Sequence, residues 1–352
     1  MKIVTLPKET AGQAWDMTIG LRSMGIESEL LTRSPHQFGY PSDSCLNITK
    51  PIHEQTFSEK FSNAARRTNA IVKRLDADVF NFWCGAPLAP AQLGQRVLGK
   101  LGKTTLVTFN GSEVRLKSLA EKNNPYTHPS LYARPEADTR AWLEILSGRI
   151  DAAVVMYPEL EEYAAEYFDR VYTVARTVDV INSNPSYPDP ELSEPYIVHA
   201  PSKRDTKGTE SIIDAVESLE SEYSFDFKLL EKMPNSEVKK ELEIADIVIG
   251  GLRTGTFGVL SLEGMARGAV ALAYMRSDLL DRRPNELPIV NTNPKTIEET
   301  LEDLLQNPEL LHDIGKQSRA YVESHHERTH VIKQWIAVFN DLGHSLEPAL
   351  SS

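Results

Sequence analysis

The chain has 352 residues, more than one ordinary core absorbs and enough for two domains of common size. It is 41% hydrophobic and 25% charged, the balance of a soluble globular protein, and its net charge of −12 argues against binding nucleic acid, because an acidic surface repels phosphate backbones. Two cysteines, Cys45 and Cys84, without CxxC or ligand spacing, exclude a disulfide framework and a cysteine zinc site and suit a reducing cytoplasm.

The N-terminal MKIVTLPKETAGQ reads as a buried strand and loop rather than a signal peptide, and no run approaches the roughly 18 apolar residues of a membrane span. KIVTLP (2–7) predicts a strand, followed by an amphipathic helix over 14–24 and a second strand at ESELLT (27–32). DVFNFW (78–83), TTLVTF (104–109) and DAAVVM (151–156) continue the series. Strands alternating with helices predict a parallel sheet covered on both faces.

The pattern breaks at Ile181, and NSNPSYPDPELSEP (182–195), with four prolines, reads as a linker. The plan then restarts with YIVHAP (196–201), a polar loop, a helix over 210–221 and a strand at DFKLLE (226–231). ADIVIGG and AVALAYM add two strands, PKTIEETLEDLLQ and PELLHDIGKQSRAYVES two helices. HVIKQWIAVFNDLG (330–343) predicts a last helix, with Val331, Ile332, Trp335, Ile336, Val338 and Phe339 largely on one face. The expectation is α/β, with two doubly wound Rossmann-like domains facing a cleft. Residues 1–182 form the first domain, 183–195 the linker, 196–328 the second domain and 329–352 a closing helix and tail.

Four motifs carry candidate chemistry. GGLRTGTFGVLSLEG sets Gly250, Gly251, Gly255 and Gly258 ahead of a helix, where free N–H groups favour a phosphate; it lacks the GK[ST] ending of a Walker loop. SKRDTKGTES follows the first strand of the second domain and brings Lys203, Arg204 and Lys207 to the ligand end of the sheet. FNGSEVR presents Asn110, Ser112 and Glu113 from a glycine turn, with Arg115 placed to hold Glu113. HERTH (326–330) matches the H-E-x-x-H zinc-peptidase helix, yet it falls at a boundary between two helical patterns and no third-ligand extension follows. FNFWCG leaves Cys84 without a histidine partner, and no G-x-S-x-G is present.

These stretches together resemble the family 4 glycosyltransferases of the GT-B fold. The likeness rests on AGQAWDMTIGLRSMGIESELLT, on ADVFNFWCGAPLAPAQLGQRVLGKLGKTTLVTFNGSEVR, on HAPSKRDTKGTESIIDAVESL, on ADIVIGGLRTGTFGVLSLEGMARGAVALAYM, and on the C-terminal helical run. The resemblance implies a metal-independent, cofactor-free retaining transfer of a sugar from a nucleotide diphosphate sugar, most simply a UDP-sugar, to an acceptor hydroxyl. It also implies that the last helix returns to the first domain. Arg204 and Lys207 match the residues that neutralise the donor diphosphate, and Gly255, Thr256, Phe257, Gly258 and Val259 match the donor loop. Glu263 matches the second glutamate of the E-x7-E motif, which binds ribose hydroxyls, and Gly12 and Gln13 match the first-domain phosphate and acceptor loop. Asn110 and Glu113 stand at the catalytic turn.

The chain departs from that pattern at three places. Gly255 replaces the first glutamate of E-x7-E. Asn110 and Glu113 replace the turn's histidine and aspartate, and Asn110 cannot act as a general acid or base. The arginine expected five residues before Lys207 falls at Ser202. These departures motivate an alternative, a weakened GT-B protein serving as a binding or chaperone subunit; a zinc peptidase is the remote third reading. Nothing in the sequence names the acceptor, be it glycan, lipid, protein or small molecule, or sets the oligomeric state. RLKSLAEK (115–122) is the candidate for peripheral membrane contact of an otherwise cytoplasmic protein.

Overall fold

A computed structural model describes residues 1–85, 93–281 and 287–347. Residues 86–92, within the stretch likened to the family's catalytic turn, lie outside that set. The first sheet holds β1 (Lys2–Leu6), β2 (Glu27–Thr32), β3 (Ser44–Cys45), β4 (Val79–Trp83), β5 (Thr104–Phe109), β6 (Ala152–Val155) and β7 (Val171–Thr173). Up to residue 164 the helices are α1 (Gln13–Ser23), α2 (Phe57–Val72), α3 (Leu93–Lys100), α4 (Lys117–Asn123), α5 (Glu136–Ser147) and α6 (Glu161–Ala164). The second sheet holds β8 (Tyr196–His199), β9 (Asp226–Leu229), β10 (Ile247–Ile249), β11 (Val270–Ala273) and β12 (Val290–Asn291). From residue 204 onward the helices are α7 (Arg204–Lys207), α8 (Thr209–Leu219), α9 (Asn235–Leu242), α10 (Val259–Met265), α11 (Ser277–Asp281), α12 (Ile297–Leu305), α13 (Pro308–His325) and α14 (Arg328–Asp341).

Both sheets are parallel, as their nearly continuous apolar strands require. The first runs β3-β2-β1-β4-β5-β6-β7, the order that reverses between β1 and β4. The second runs β12-β11-β10-β8-β9 and reverses between β8 and β10. At such switch points the loops leaving two neighbouring strands diverge to opposite faces of the sheet, and ligands bind in the opening.

The chain divides into two compact units. The first is Met1–Leu116, Arg134–Ala175 and Val331–Ser352; the second is Lys117–Ala133 and Arg176–His330. The crossing thus comes at Ala175 rather than Ile181, and residues 117–133 group with the second unit, not the first. Nor is the proline-rich stretch a free tether. Ser186 donates its N–H to Arg267 O at 2.7 Å, His312 Nδ1 bonds Pro188 O at 2.7 Å, and Arg319 Nη1 reaches Ser183 O at 2.5 Å. The prolines fix an extended path whose carbonyls the second unit collects.

In the first unit Ile3, Val79 and Leu106 meet Met17 and Leu21 of α1 and Val331, Trp335 and Phe339 of α14. Trp335 stacks on Trp83 with centroids 6.3 Å apart. The last helix therefore packs on the first sheet through its apolar face. In the second unit α8 and α12 cover one face of the sheet and α10 lies on the other. That approach is close: a Cβ at Gly264 would come within 2.7 Å of Val248 Cγ2, so only glycine lets α10 lie this low on β10.

Candidate functional site

The second switch point joins two of the motifs. SKRDTKGTES leaves β8 and forms α7, which ends on Gly208 in the left-handed region at φ 72°. The glycine loop leaves β10 and ends on Gly258, the N-cap of α10, with no side chain capping the helix. Its first N–H groups therefore have no side-chain acceptor at the N-cap. Lys207 lies across this loop: its Nζ is 3.4 Å from where a Cβ would stand at Gly251 and 3.5 Å from the same point at Gly258. Leu252 N–H donates to Lys207 O at 3.0 Å, tying the two loops by backbone as well. An ammonium group and backbone N–H donors converge there, a combination suited to a phosphate.

Arg204 is engaged elsewhere. Its guanidinium makes a fork to Glu231 at 2.9 and 2.8 Å and a third bond to Glu210 at 2.9 Å. Glu231 and then Glu210 hold its pKa above the ordinary arginine value. Neutralising a diphosphate would require Arg204 to give up part of this network. Glu263, matched by the resemblance to a ribose-binding glutamate, has Lys239 Nζ of α9 at 3.7 Å from its Oε1. Its side chain is 11% exposed, while Lys239 is 42% exposed, so the pair opens to solvent at the lysine end.

Within the glycine loop the residues diverge. Gly255 has φ 80°, and a Cβ there would lie 2.9 Å from Cγ and Cδ of Arg276. Arg276 is 4% exposed and makes a fork to Asp278 at 2.9 and 2.8 Å. The aliphatic stem of Arg276 thus fills the space into which a side chain at 255 would project, so glycine at 255 and the placement of Arg276 belong together. Asn124 Nδ2 donates to Arg253 O at 2.8 Å and braces the same loop. Thr254 Oγ1 donates to Thr256 O at 2.8 Å. Phe257 points inward, packing in the core with Leu262 and Met265 and edge-on to His326 at 5.8 Å, so its side chain is not part of the loop's open surface.

At the first switch point the loops after β1, β4 and β5 meet. Thr10 Oγ1 lies 3.5 Å from Cys84 Sγ, and Asn110 Nδ2 donates to the same sulfur at 3.7 Å. Gly12, at φ 80°, is the N-cap of α1, and the buried Gln13 opens the helix. Glu113 accepts the Asn110 N–H and so closes its own turn. Arg115, expected to hold Glu113, instead pairs with buried Glu159, through Nε at 3.0 Å and through Nη2. A residue that sequence reasoning missed sits here. Glu9 Oε2 accepts Trp15 N–H at 2.8 Å at the start of α1, and its other oxygen, Oε1, is buried with no hydrogen-bond partner among the described residues. Burial pushes its carboxyl up to about 7, against the pull of the Trp15, Thr10 and Ala14 amides.

HERTH is no metal helix. His326 is the C-cap of α13, its Nδ1 is bonded to Arg176 O at 2.8 Å, and α14 starts only at Arg328. Glu327 accepts Thr329 N–H at 2.8 Å and caps the new helix. The two imidazoles therefore never share one helical face, and no group of three metal-ligating side chains occurs among the described residues.

No protein-family model matches the chain, and no curated protein matches it by sequence. Its backbone does match solved structures. Sucrose-phosphate synthase from Thermosynechococcus elongatus superposes with a TM-score of 0.70 at 14% identity, over 97% of this chain and 99% of that one. A glycosyltransferase from Rickettsia africae gives 0.64 at 13% identity, over 97% and 98%. Anabaena HepE in complex with UDP and glucose gives 0.63 at 10% identity, over 97% and 99%. The chain has the GT-B fold. Within this GT-B chain the recognisable feature is the Lys207 and Gly258 pair. Glu9 was hidden because nothing in KETAG marks a carboxylate as buried; an acid three residues ahead of a glycine N-cap was the one available signal.

Proposed function

We propose that the protein is a glycosyltransferase that moves a sugar from a nucleotide diphosphate sugar, a UDP-sugar, to an acceptor hydroxyl with retention and without a metal. The observation that carries this reading is the Lys207 ammonium beside the uncapped start of α10 at the switch point of the second sheet. A leaving diphosphate needs positive charge and N–H donors fixed in advance, since catalysis here amounts to positioning and to stabilising the charge that develops as the glycosidic C–O bond breaks. Lys207 supplies the charge, and the N–H groups that follow Gly258 supply the donors. Glu263, largely buried yet reached by solvent through Lys239, accepts from the ribose hydroxyls. Asn110 has no proton to relay, so the departing phosphate oxygen takes the acceptor proton on the same face. The HepE complex with UDP favours uracil as the base.

The test is incubation with a panel of UDP-, ADP- and GDP-sugars, reading nucleotide release and thermal shift. Release from a UDP-sugar, lost in Lys207→Ala, is the expected result. Stabilisation by UDP without turnover on any donor would favour the binding-subunit reading, which the filled Gly255 position also favours. Indifference to every nucleotide would overturn both.

A further inference from the structure

Two guanidinium groups of the first unit converge without a carboxylate to balance them. Arg33 directly follows β2 and so lies at the carboxyl end of the first sheet, where such sheets bind their ligands. Its N–H donates to Pro7 O at 2.8 Å, which sets it beside the end of β1. The guanidinium clasps the segment that follows: Nε donates to Ile48 O at 3.1 Å and Nη2 to Lys50 O at 2.5 Å. Nη1 has no hydrogen-bond partner among the described residues. Gln55, 6% exposed, donates from Nε2 to the same Lys50 O at 2.7 Å, and its Oε1 accepts from Asn63 Nδ2 of α2 at 3.1 Å. Asn63, Arg67 and the buried Ala70 share one face of α2 by helical spacing. This chain of bonds therefore brings Arg67, one turn beyond Asn63, to the Arg33 side.

Arg67 is half-buried and makes no hydrogen bond or ion pair among the described residues. Burial, and then the charge of Arg33, hold its pKa below the ordinary arginine value, and no carboxylate opposes them. The one acid of α2, Glu59, is taken by Lys50 at 2.6 Å and by the Thr56 N–H at 2.8 Å. Arg74, just past the end of the same helix, shows the contrast, since it pairs with Glu29. In a chain with 50 acidic side chains against 38 of Lys and Arg, two guanidiniums left to face each other mark a place for an anion from outside. We propose that Arg33 and Arg67 bind a phosphate monoester carried by a small molecule. Each guanidinium offers a planar set of N–H donors, and two together match a dianion with three terminal oxygens. A carboxylate or a phosphodiester, each a monoanion with two such oxygens, would use only one of them. On the glycosyltransferase reading the bearer is the acceptor, a compound with both a hydroxyl and a phosphate group; that step alone rests on that reading.

Inorganic phosphate is the probe and the melting temperature of the full chain the readout, at about pH 8, where phosphate is a dianion. The parent protein carries Lys207→Ala, which removes the ammonium group beside Gly258, and sodium chloride and sodium acetate at matched ionic strength are the controls. Phosphate is expected to raise the melting temperature above the chloride control, and acetate is not. Adding Arg67→Gln should increase the phosphate concentration needed for half that rise by about tenfold or more. In chloride at low ionic strength the Arg67→Gln protein should melt no lower than its parent, because Arg67 makes no bond within the fold and its repulsion by Arg33 is gone. Phosphate that does no better than chloride, acetate that does as well as phosphate, or stabilisation that Arg67→Gln leaves unchanged overturns the proposal. So does an Arg67→Gln protein that melts well below its parent in chloride, which would make Arg67 a structural residue. None of these outcomes depends on turnover of a nucleotide sugar, so the site and the glycosyltransferase reading fail separately.

Discussion

Replacing Glu9 by glutamine isolates one buried carboxyl group whose proton balance is set by the fold. The Glu9 carboxyl is raised from 4.5 to about 7, burial being the largest cause, with Asp16 adding to it and the amides of α1 opposing it. Between those two values the folded chain keeps a proton that the unfolded chain has released. Stability therefore falls as pH rises through this window, and the loss is complete above about pH 7. A rise from 4.5 to about 7 corresponds to about 3 kcal/mol. Glutamine mimics the protonated acid in shape and cannot titrate. The stability difference between Glu9→Gln and wild type should thus shift in favour of the variant by about 3 kcal/mol between pH 4.5 and pH 8. Urea denaturation followed by tryptophan fluorescence is the assay, because Trp15, Trp83, Trp142 and Trp335 are all four tryptophans and all lie in the first unit. Other titrating groups cancel in the difference, and any packing penalty of the glutamine adds a constant. A difference that stays flat with pH would show that Glu9 is solvated, and the argument from its unpartnered Oε1 would fall with it.

Lys207→Ala should reduce nucleotide release by about 100-fold, the scale of losing one preorganised donor to a developing anion. Arg204→Ala, measured in the same assay, should cost far less, because that guanidinium is already committed to Glu231 and Glu210. Gly255→Glu should restore nothing: a side chain at φ 80° costs about 1–2 kcal/mol and must also displace Arg276, so the variant is expected to melt lower with no gain in turnover. His199 is buried and neutral, with Nδ1 against Ile249 O at 2.8 Å and Nε2 against Thr209 Oγ1 at 2.9 Å, and burial lowers its pKa to about 4. The unfolded chain then binds the extra proton, so protection of β8 amides from hydrogen exchange should decline as pH falls from 6.5 towards 4, and His199→Gln should blunt that decline.

The sheets were legible because β1, β4, β5, β6, β8, β10 and β11 each carry a nearly continuous apolar run between polar turns, a signal local to a few residues, while β2 and β9, ESELLT and DFKL, mix charged and apolar residues within a few positions. β3 and β12 have two residues each and β7 three, too few to show any period, and they form only because a neighbouring strand offers its edge. The glycine loop ahead of α10 was legible for the same local reason: glycines at set offsets constrain the backbone whatever surrounds them. What escaped the sequence depends on partners distant along the chain. Arg204 meets Glu231, 27 residues away, and Arg115 meets Glu159, 44 residues away. No spacing rule joins such pairs. α2 shows the limit most sharply. Apolar residues at 57, 61, 64, 65 and 72 repeat at helical period, and a period establishes that a helix has two unlike faces. It does not say which face the rest of the protein covers. In a core helix burial and periodicity agree. Here they oppose, with Ala70 inside and Phe57 and Phe61 outside. Leaving two phenylalanines in water forgoes about 3–6 kcal/mol of available burial, and none of the described residues covers them.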